Sequence, residues 1–146
     1  MIIFDKSGKV ALFERAKELG QWQFPQGGMY QGESPLECMY RELGEETGLN
    51  RNQVSVRDEL PFLTSYVYPR GLLDSFASSG INYIGQTLRW FVLELHADVT
   101  IDLSLASDPE LNDVRWVDLP TVVNEIVEFK KQGYQQLVTH LKNTTN

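Results

Sequence analysis

The chain has 146 residues, with 13 Lys and Arg against 20 Asp and Glu and a formal charge of −7. Its length predicts a single domain over 1–146 with a real core, and 42% hydrophobic residues is ordinary globular usage. The acidic balance excludes an extended grip on nucleic acid, which needs many Lys/Arg–phosphate contacts, and no stretch approaches the apolar length of a membrane span. Cys38 is the one cysteine, so no internal disulfide can form. A reducing compartment, the cytoplasm in the simplest case, is expected. The first residues lack the basic run, apolar stretch and small-residue cleavage site of a secretory signal.

In chain order, Met1 to Phe4, the turn-like Asp5-Lys6-Ser7-Gly8 and Val10 to Phe13 predict a hairpin. Trp22 to Gly28 reads as a loop. Ser34-Pro35-Leu36-Glu37 is a capping box with proline at the first helical position, and Gly48 is placed to stop the helix in the left-handed conformation. Leu36, Met39, Tyr40 and Leu43 form its apolar stripe, on which Cys38 is expected to pack rather than react. Val54 to Val56 and Phe62 to Tyr68 predict two strands separated around Pro61. Pro69 to Asn82 is polar and glycine-containing, and predicts a mobile loop over a site. Gln86 to Leu95 predicts a central buried strand, and Val114 to Val117 another short one. Asp118 to Lys142 predicts one or two helices with a break at Gln132-Gly133. The sum is an α/β fold, a mixed sheet between helices in an α/β/α sandwich.

The chemistry concentrates on the first helix. Glu42, Glu45 and Glu46 fall at i, i+3 and i+4 on one face, where like charges repel by roughly 0.2–0.5 kcal/mol per pair. Alone they read as a solvated acidic face. Such oxygen ligands also suit a hard cation, Mg²⁺ or Mn²⁺, that shares its coordination with substrate phosphates.

The wider pattern decides between these readings. Gly27, five residues, Glu33, seven residues, then Arg41-Glu42-Leu43-x-Glu45-Glu46-x-Gly48-Leu49 is the complete Nudix box, and the chain is identified by it as resembling the Nudix hydrolases. Chance would produce that template in a chain this long with a probability on the order of 10⁻⁸. The resemblance implies a Nudix-type sandwich and metal-dependent hydrolysis of a nucleotide phosphoanhydride. It implies that Glu42, Glu45 and Glu46 hold metal and act in catalysis, that Arg41 orients a box glutamate, and that Glu33, Gly48 and the loop glycines are structural.

Further motifs resemble one branch, the RNA pyrophosphohydrolases and asymmetric dinucleoside polyphosphate hydrolases. They are Trp22-Gln23-Phe24-Pro25-Gln26-Gly27-Gly28, Tyr66-x-x-Pro69, Gly85-Gln86-x-x-Arg89-Trp90-Phe91, Pro109-Glu110-Leu111 and Phe129-Lys130-x-x-x-Tyr134. By that match Glu110 adds a carboxylate to the metal and catalytic site, and Tyr66 and Lys130 lie near the nucleotide and phosphates. Gln26 and Gly27 are expected at the substrate. Arg15, Arg70 and Arg89 are candidate phosphate partners, since a guanidinium fork matches phosphate oxygens. Trp22 is a candidate for base stacking or for core.

The chain also departs from that branch. The branch usually begins with a Tyr-Arg-x-Asn-Val-Gly arm, whereas this chain starts inside the expected first strand, so that the arm is either lost or cut off by a misassigned or trimmed start. Leu63 replaces a tryptophan and Ala16 an arginine near the substrate. The expected partners are a nucleotide polyphosphate or an RNA 5′ end, with Mg²⁺ as cofactor. Competing readings are a noncatalytic RNA- or nucleotide-binding factor on the same fold and a mononucleotide housecleaning pyrophosphatase.

Overall fold

The structure, a computed structural model, describes residues 1–144. Alternation along the central strands builds its layers. β1 (Ile2–Phe4) and β2 (Val10–Arg15) send Ile2, Val10 and Leu12 to one face and Ile3, Ala11 and Phe13 to the other, all fully buried. β5 (Gly85–Leu95) continues both sets, Trp90 and Val92 with the first, Phe91, Leu93 and Leu95 with the second. Strands buried on both faces need a layer on each side.

Helices supply those layers. α1 (Pro35–Thr47) covers one face through Met39 and Leu43. On the other face, α3 (Val122–Glu125) and α4 (Lys131–Thr144) contribute Val122, Tyr134, Leu137, Val138 and Leu141. Tyr134 locks this second layer to the sheet, because its hydroxyl accepts the Phe24 amide at 3.0 Å and its ring stacks on Phe24 at 5.3 Å. The α/β/α sandwich is present.

With β3 (Trp22–Gln23), β4 (Val54–Val67) and β6 (Leu111–Val117), the sheet order is β3-β2-β1-β5-β4, and β6 pairs with β2. β1 runs parallel to β5, while the β1–β2, β2–β3, β2–β6 and β4–β5 pairs are antiparallel. β1 meets β2 at Phe4 and Val10, and further along β2 its place is taken by β3 at Phe13 and Glu14. The sheet is thus split into β2–β3 and β4–β5 halves, and the cleft described below has both halves as walls.

Five expectations need correction. Trp22 and Gln23, read as the start of a loop, form the short strand β3, because they pair with Glu14 and Phe13 of β2. The two strands expected around Pro61 are one, β4, because a register shift between Glu59 and Leu63 absorbs the proline, which lacks an N–H to donate. The expected loop over 69–82 contains a helix, α2 (Arg70–Ser78), whose apolar residues were diluted by polar and glycine neighbours. α4 runs through Gly133, where a Cβ would stand 3.1 Å from Thr64 Cβ, so that glycine serves close packing on β4. The break comes earlier, where Ile126 is extended and a 3₁₀ turn over Glu128–Lys130 leads into α4. Leu36 is 43% exposed, and the inner face of α1 carries Cys38, Glu42 and Glu46 beside Met39 and Leu43.

Candidate active site

The box helix is bounded as its sequence requires. Ser34 Oγ accepts the Glu37 amide and the Glu37 carboxylate accepts from the Ser34 amide at 2.8 Å. Gly48 closes the helix at φ 74°, where a Cβ would also come within 2.8 Å of the Asp102 carbonyl.

Arg41 organises the loop in front of that helix. Its guanidinium bonds both oxygens of Glu33 at 2.8 and 3.0 Å, and Nη2 also donates to the Gly28 carbonyl at 2.8 Å. Nη1 donates to Glu42 Oε1 and to Glu45 Oε2, each at 2.7 Å. Its side chain lies over the Tyr30 ring, 3.9 Å from the centroid. Hydrogen bonds from Arg41 hold the Glu33 carboxyl down at about 2. Glu33 is thus the anchor of Arg41, and Arg41 sets two of the three helix carboxylates.

Those carboxylates are not one solvated face. Glu46 is 2% exposed and Glu42 9%, while Glu45 is half-buried. Glu46 Oε2 accepts the backbone amide of Gln26 at 2.7 Å, tying the helix to the loop before Gly27. Burial pushes the Glu46 carboxyl up to about 8 against the Gln26 hydrogen bond, and the charges of Glu42 and Glu110 add to the rise. Burial also raises Glu42, with Arg41 opposing it. Gly27 has no room for a side chain, since a Cβ there would stand 1.7 Å from Glu42 Cδ.

Glu110 comes to this region on the loop before β6. The Asp108 amide donates to the Glu45 carbonyl at 2.9 Å, and the Glu110 carbonyl accepts from Ala16 at 2.8 Å. The exposed Glu110 side chain lines a cleft of about 600 Å³. Arg15, Trp22, Gln23, Gln26, Tyr66, Phe129 and Lys130 line the same cleft.

Two cations face it. Arg15 pairs with Glu18 at 2.7 Å and remains half-exposed. Lys130 is 5% exposed and donates to Gln23 Oε1 at 3.0 Å. Burial pushes its ammonium down to about 8, and the charge of Arg15 adds to that shift. A buried ammonium bonded to a neutral amide gains from an incoming anion. Tyr66 packs on Phe129 at 5.4 Å and shares hydrogen bonds with Gln26 and Gln86.

The remaining candidates separate. Arg89 pairs with Glu59 and lines other grooves, and Arg70 is exposed on α2 outside the cleft lining. Trp22 meets both of its readings, packing against the core and lining the cleft, with Arg115 over its ring at 4.0 Å. Sequence reasoning missed Gln23, Gln86, Tyr68, Leu72 and Phe76 as cleft residues. The signal for the last two was their i, i+4 spacing inside a segment read as loop.

As the side chains lie, the described residues contain no group of three or more His, Cys, Asp or Glu poised to hold an ion. Glu42 and Glu45 are instead turned onto Arg41. The donor chemistry fits a hard divalent cation all the same, because Glu42 and Glu46 are buried carboxylates facing like charge, Glu42 that of Glu45 and Glu110, and Glu46 that of Glu42 and Glu110. Mg²⁺ keeps several waters and takes phosphate oxygens, so it needs few protein ligands.

Buried carboxylates beside a cleft lined by arginine and lysine make a site suited to a divalent ion and an anionic ligand. The family follows from comparison. The NUDIX domain matches residues 1–137, and the chain belongs to the Nudix family as a Nudix hydrolase, an enzyme class that needs divalent metal ions. An RNA pyrophosphohydrolase of Shewanella frigidimarina (strain NCIMB 400) is 38% identical over 148 residues, spanning 99% of this chain and 83% of the relative. Among solved structures, the E. coli dihydroneopterin triphosphate pyrophosphohydrolase superposes with TM-score 0.73 at 20% identity, covering 95% of this chain and 92% of that one. A C. elegans Ap4A hydrolase binary complex gives 0.66 at 14% identity, covering 97% and 96%. These two show the fold.

Proposed function

We propose that this enzyme removes pyrophosphate from the 5′-triphosphate end of RNA, with cleavage of dinucleoside polyphosphates as the second reading. The 38% identity to an RNA pyrophosphohydrolase over nearly the whole chain favours the first. The observation that carries both is the cleft itself, where Arg15, Lys130 and Glu110 line the same space as Tyr66 and Phe129. A nucleotide offers a matching partner, an aromatic ring at one end and phosphates at the other. A noncatalytic binding factor has no need of Glu42, Glu45, Glu46 and Glu110 together. With a net charge of −7, the chain is suited to a chain end or a small nucleotide, held by local cations.

In this reading Arg15 and Lys130 bind phosphate oxygens, and Tyr66 and Phe129 hold the nucleoside. Glu42, Glu45, Glu46 and Glu110 would hold the divalent ion, Mg²⁺ or in its place Mn²⁺. When bound, that ion supplies neutralisation of phosphate charge and acidifies water. Water adds to one phosphorus of the anhydride, its proton passes to a box carboxylate, and the bridging P–O bond breaks toward the leaving phosphate. Arg41 keeps Glu42 and Glu45 in place during that exchange.

The test is to incubate the enzyme with triphosphorylated RNA, diadenosine tetraphosphate and mononucleoside triphosphates, then resolve the products. Turnover should need Mg²⁺ or Mn²⁺, be weak with Ca²⁺, and vanish in excess chelator. Full activity in chelator at verified negligible metal refutes the metal site, and no turnover of any anhydride refutes the hydrolase.

Glu110→Ala tests the added carboxylate. It should lower kcat by about 10- to 100-fold with little change in KM, the pattern of a group used in the transition state. Asp113→Ala is the control, since that side chain is exposed and accepts its neighbour's amide, at Val114, at 2.8 Å. Equal activity of the two variants ends the assignment.

A further inference from the structure

α2 is a weakly anchored wall of the cleft. None of its side chains is buried, and its ring contact with the rest of the chain is Phe76 edge-on to Tyr68 at 5.0 Å. The excursion that carries it is closed at its base, where the Tyr68 amide donates to the Ile84 carbonyl at 2.9 Å. Pairing between β4 and β5 ends just before, at Val67 and Gly85. An element tied at its base, with few buried groups, opens at low free-energy cost.

Its chemistry differs from that of the cationic part of the lining. Leu72 and Phe76, one helical turn apart, line the cleft together with Tyr68, while Arg15 and Lys130 line it as cations. Tyr68 passes the contact inward, 5.6 Å from Tyr66 and 6.2 Å from Phe129. The apolar faces of Leu72 and Phe76 carry no hydrogen-bonding group. They can recognise that a flat ring is present, without reading which ring it is.

We propose that α2 is a nucleobase lid, in which Leu72 and Phe76 close over the base of the substrate whose phosphates reach Arg15 and Lys130. This rests on the nucleotide reading above and adds the residues that select a base-bearing substrate over a baseless one. Closure over the ring also shields the cleft from water, as lids do in many enzymes.

The experiment compares a 5′-triphosphorylated RNA dinucleotide with ribose 5′-triphosphate, which has the phosphates and sugar without a base. Phe76→Ala should raise KM for the dinucleotide roughly tenfold, the scale of losing one stacking partner, and leave kcat/KM for ribose 5′-triphosphate unchanged. Asp74→Ala, on the same helix but outside the cleft lining, should alter neither. Circular dichroism and the melting temperature should match the parent, because α2 contributes nothing to the core. Calorimetric binding of a methylene-bridged, uncleavable dinucleotide with Mg²⁺ should weaken by the same factor. Unchanged binding, or equal losses on both substrates, overturns the lid. Wild-type protein that cleaves neither substrate yet keeps Phe76-dependent binding overturns the hydrolase reading and supports the lid.

Discussion

Glu46→Gln is expected to lower turnover at least ~10²-fold, the scale of losing a catalytic acid–base or charge-stabilising group, and to leave the fold intact. Glutamine keeps the shape, and its carbonyl can still accept the Gln26 amide now held by Oε2 at 2.7 Å. What it removes is an ionisable carboxyl on a side chain only 2% exposed, one whose charged form burial already opposes by pushing the group up to about 8. Metal-free protein should therefore melt at the same temperature or slightly higher, since burying a carboxylate is costly and burying an amide less so. The two measurements separate chemistry from architecture. A melting temperature several degrees lower, or near-parental turnover, sinks the assignment of Glu46.

Gly27→Ala should be nearly as damaging, by a different route. A Cβ at that position overlaps the Glu42 carboxyl, 1.7 Å from Cδ and 2.0 Å from each oxygen. The clash falls on the far end of a flexible side chain, so Glu42 swings away and the protein still folds. The displaced carboxylate leaves the Arg41 Nη1 that now holds it at 2.7 Å, and misplacement by about 1 Å can cost ~10²-fold in rate. Gly28→Ala is the natural comparison, because nothing lies within 4 Å of a Cβ there. The pair should differ by at least tenfold in kcat at matched thermal stability. Equal activity of the two variants would show that the glycine leaves the carboxylate free.

These expectations show where sequence reading reached its limit on the box helix. The capping box and the glycine stop were legible, since each depends on residues within four positions of the helix end. The charge pattern was legible as well. Its environment was not, because i, i+3 and i+4 spacing says which side chains are neighbours without saying which face meets the sheet. Leu36, counted into the apolar stripe, is exposed, and Glu42 and Glu46 point inward. The need for glycine at position 27 appears only when the loop and the helix are seen to touch.

Elsewhere the limits have the same origin. Continuous apolar runs in β1, β2 and β5 carried the sandwich, because burial on both faces leaves a local signature. Pro61 suggested a strand end, yet the antiparallel partner tolerates a register shift there, which only pairing with β5 reveals. Gly133 suggested a helix break, and its true constraint is Thr64 on another element. Local sequence thus determined the Nudix template, the α/β class, the helix ends and the identity of the carboxylates. Tertiary structure alone decided that Glu33 anchors Arg41, that Lys130 is buried against Gln23, and that α2 walls the cleft. Lys130 and Gln23 lie 107 positions apart in the chain. Side-chain burial, hydrogen-bond partners and electrostatic shifts depend on such distant segments meeting, and no short-range pattern encodes that meeting.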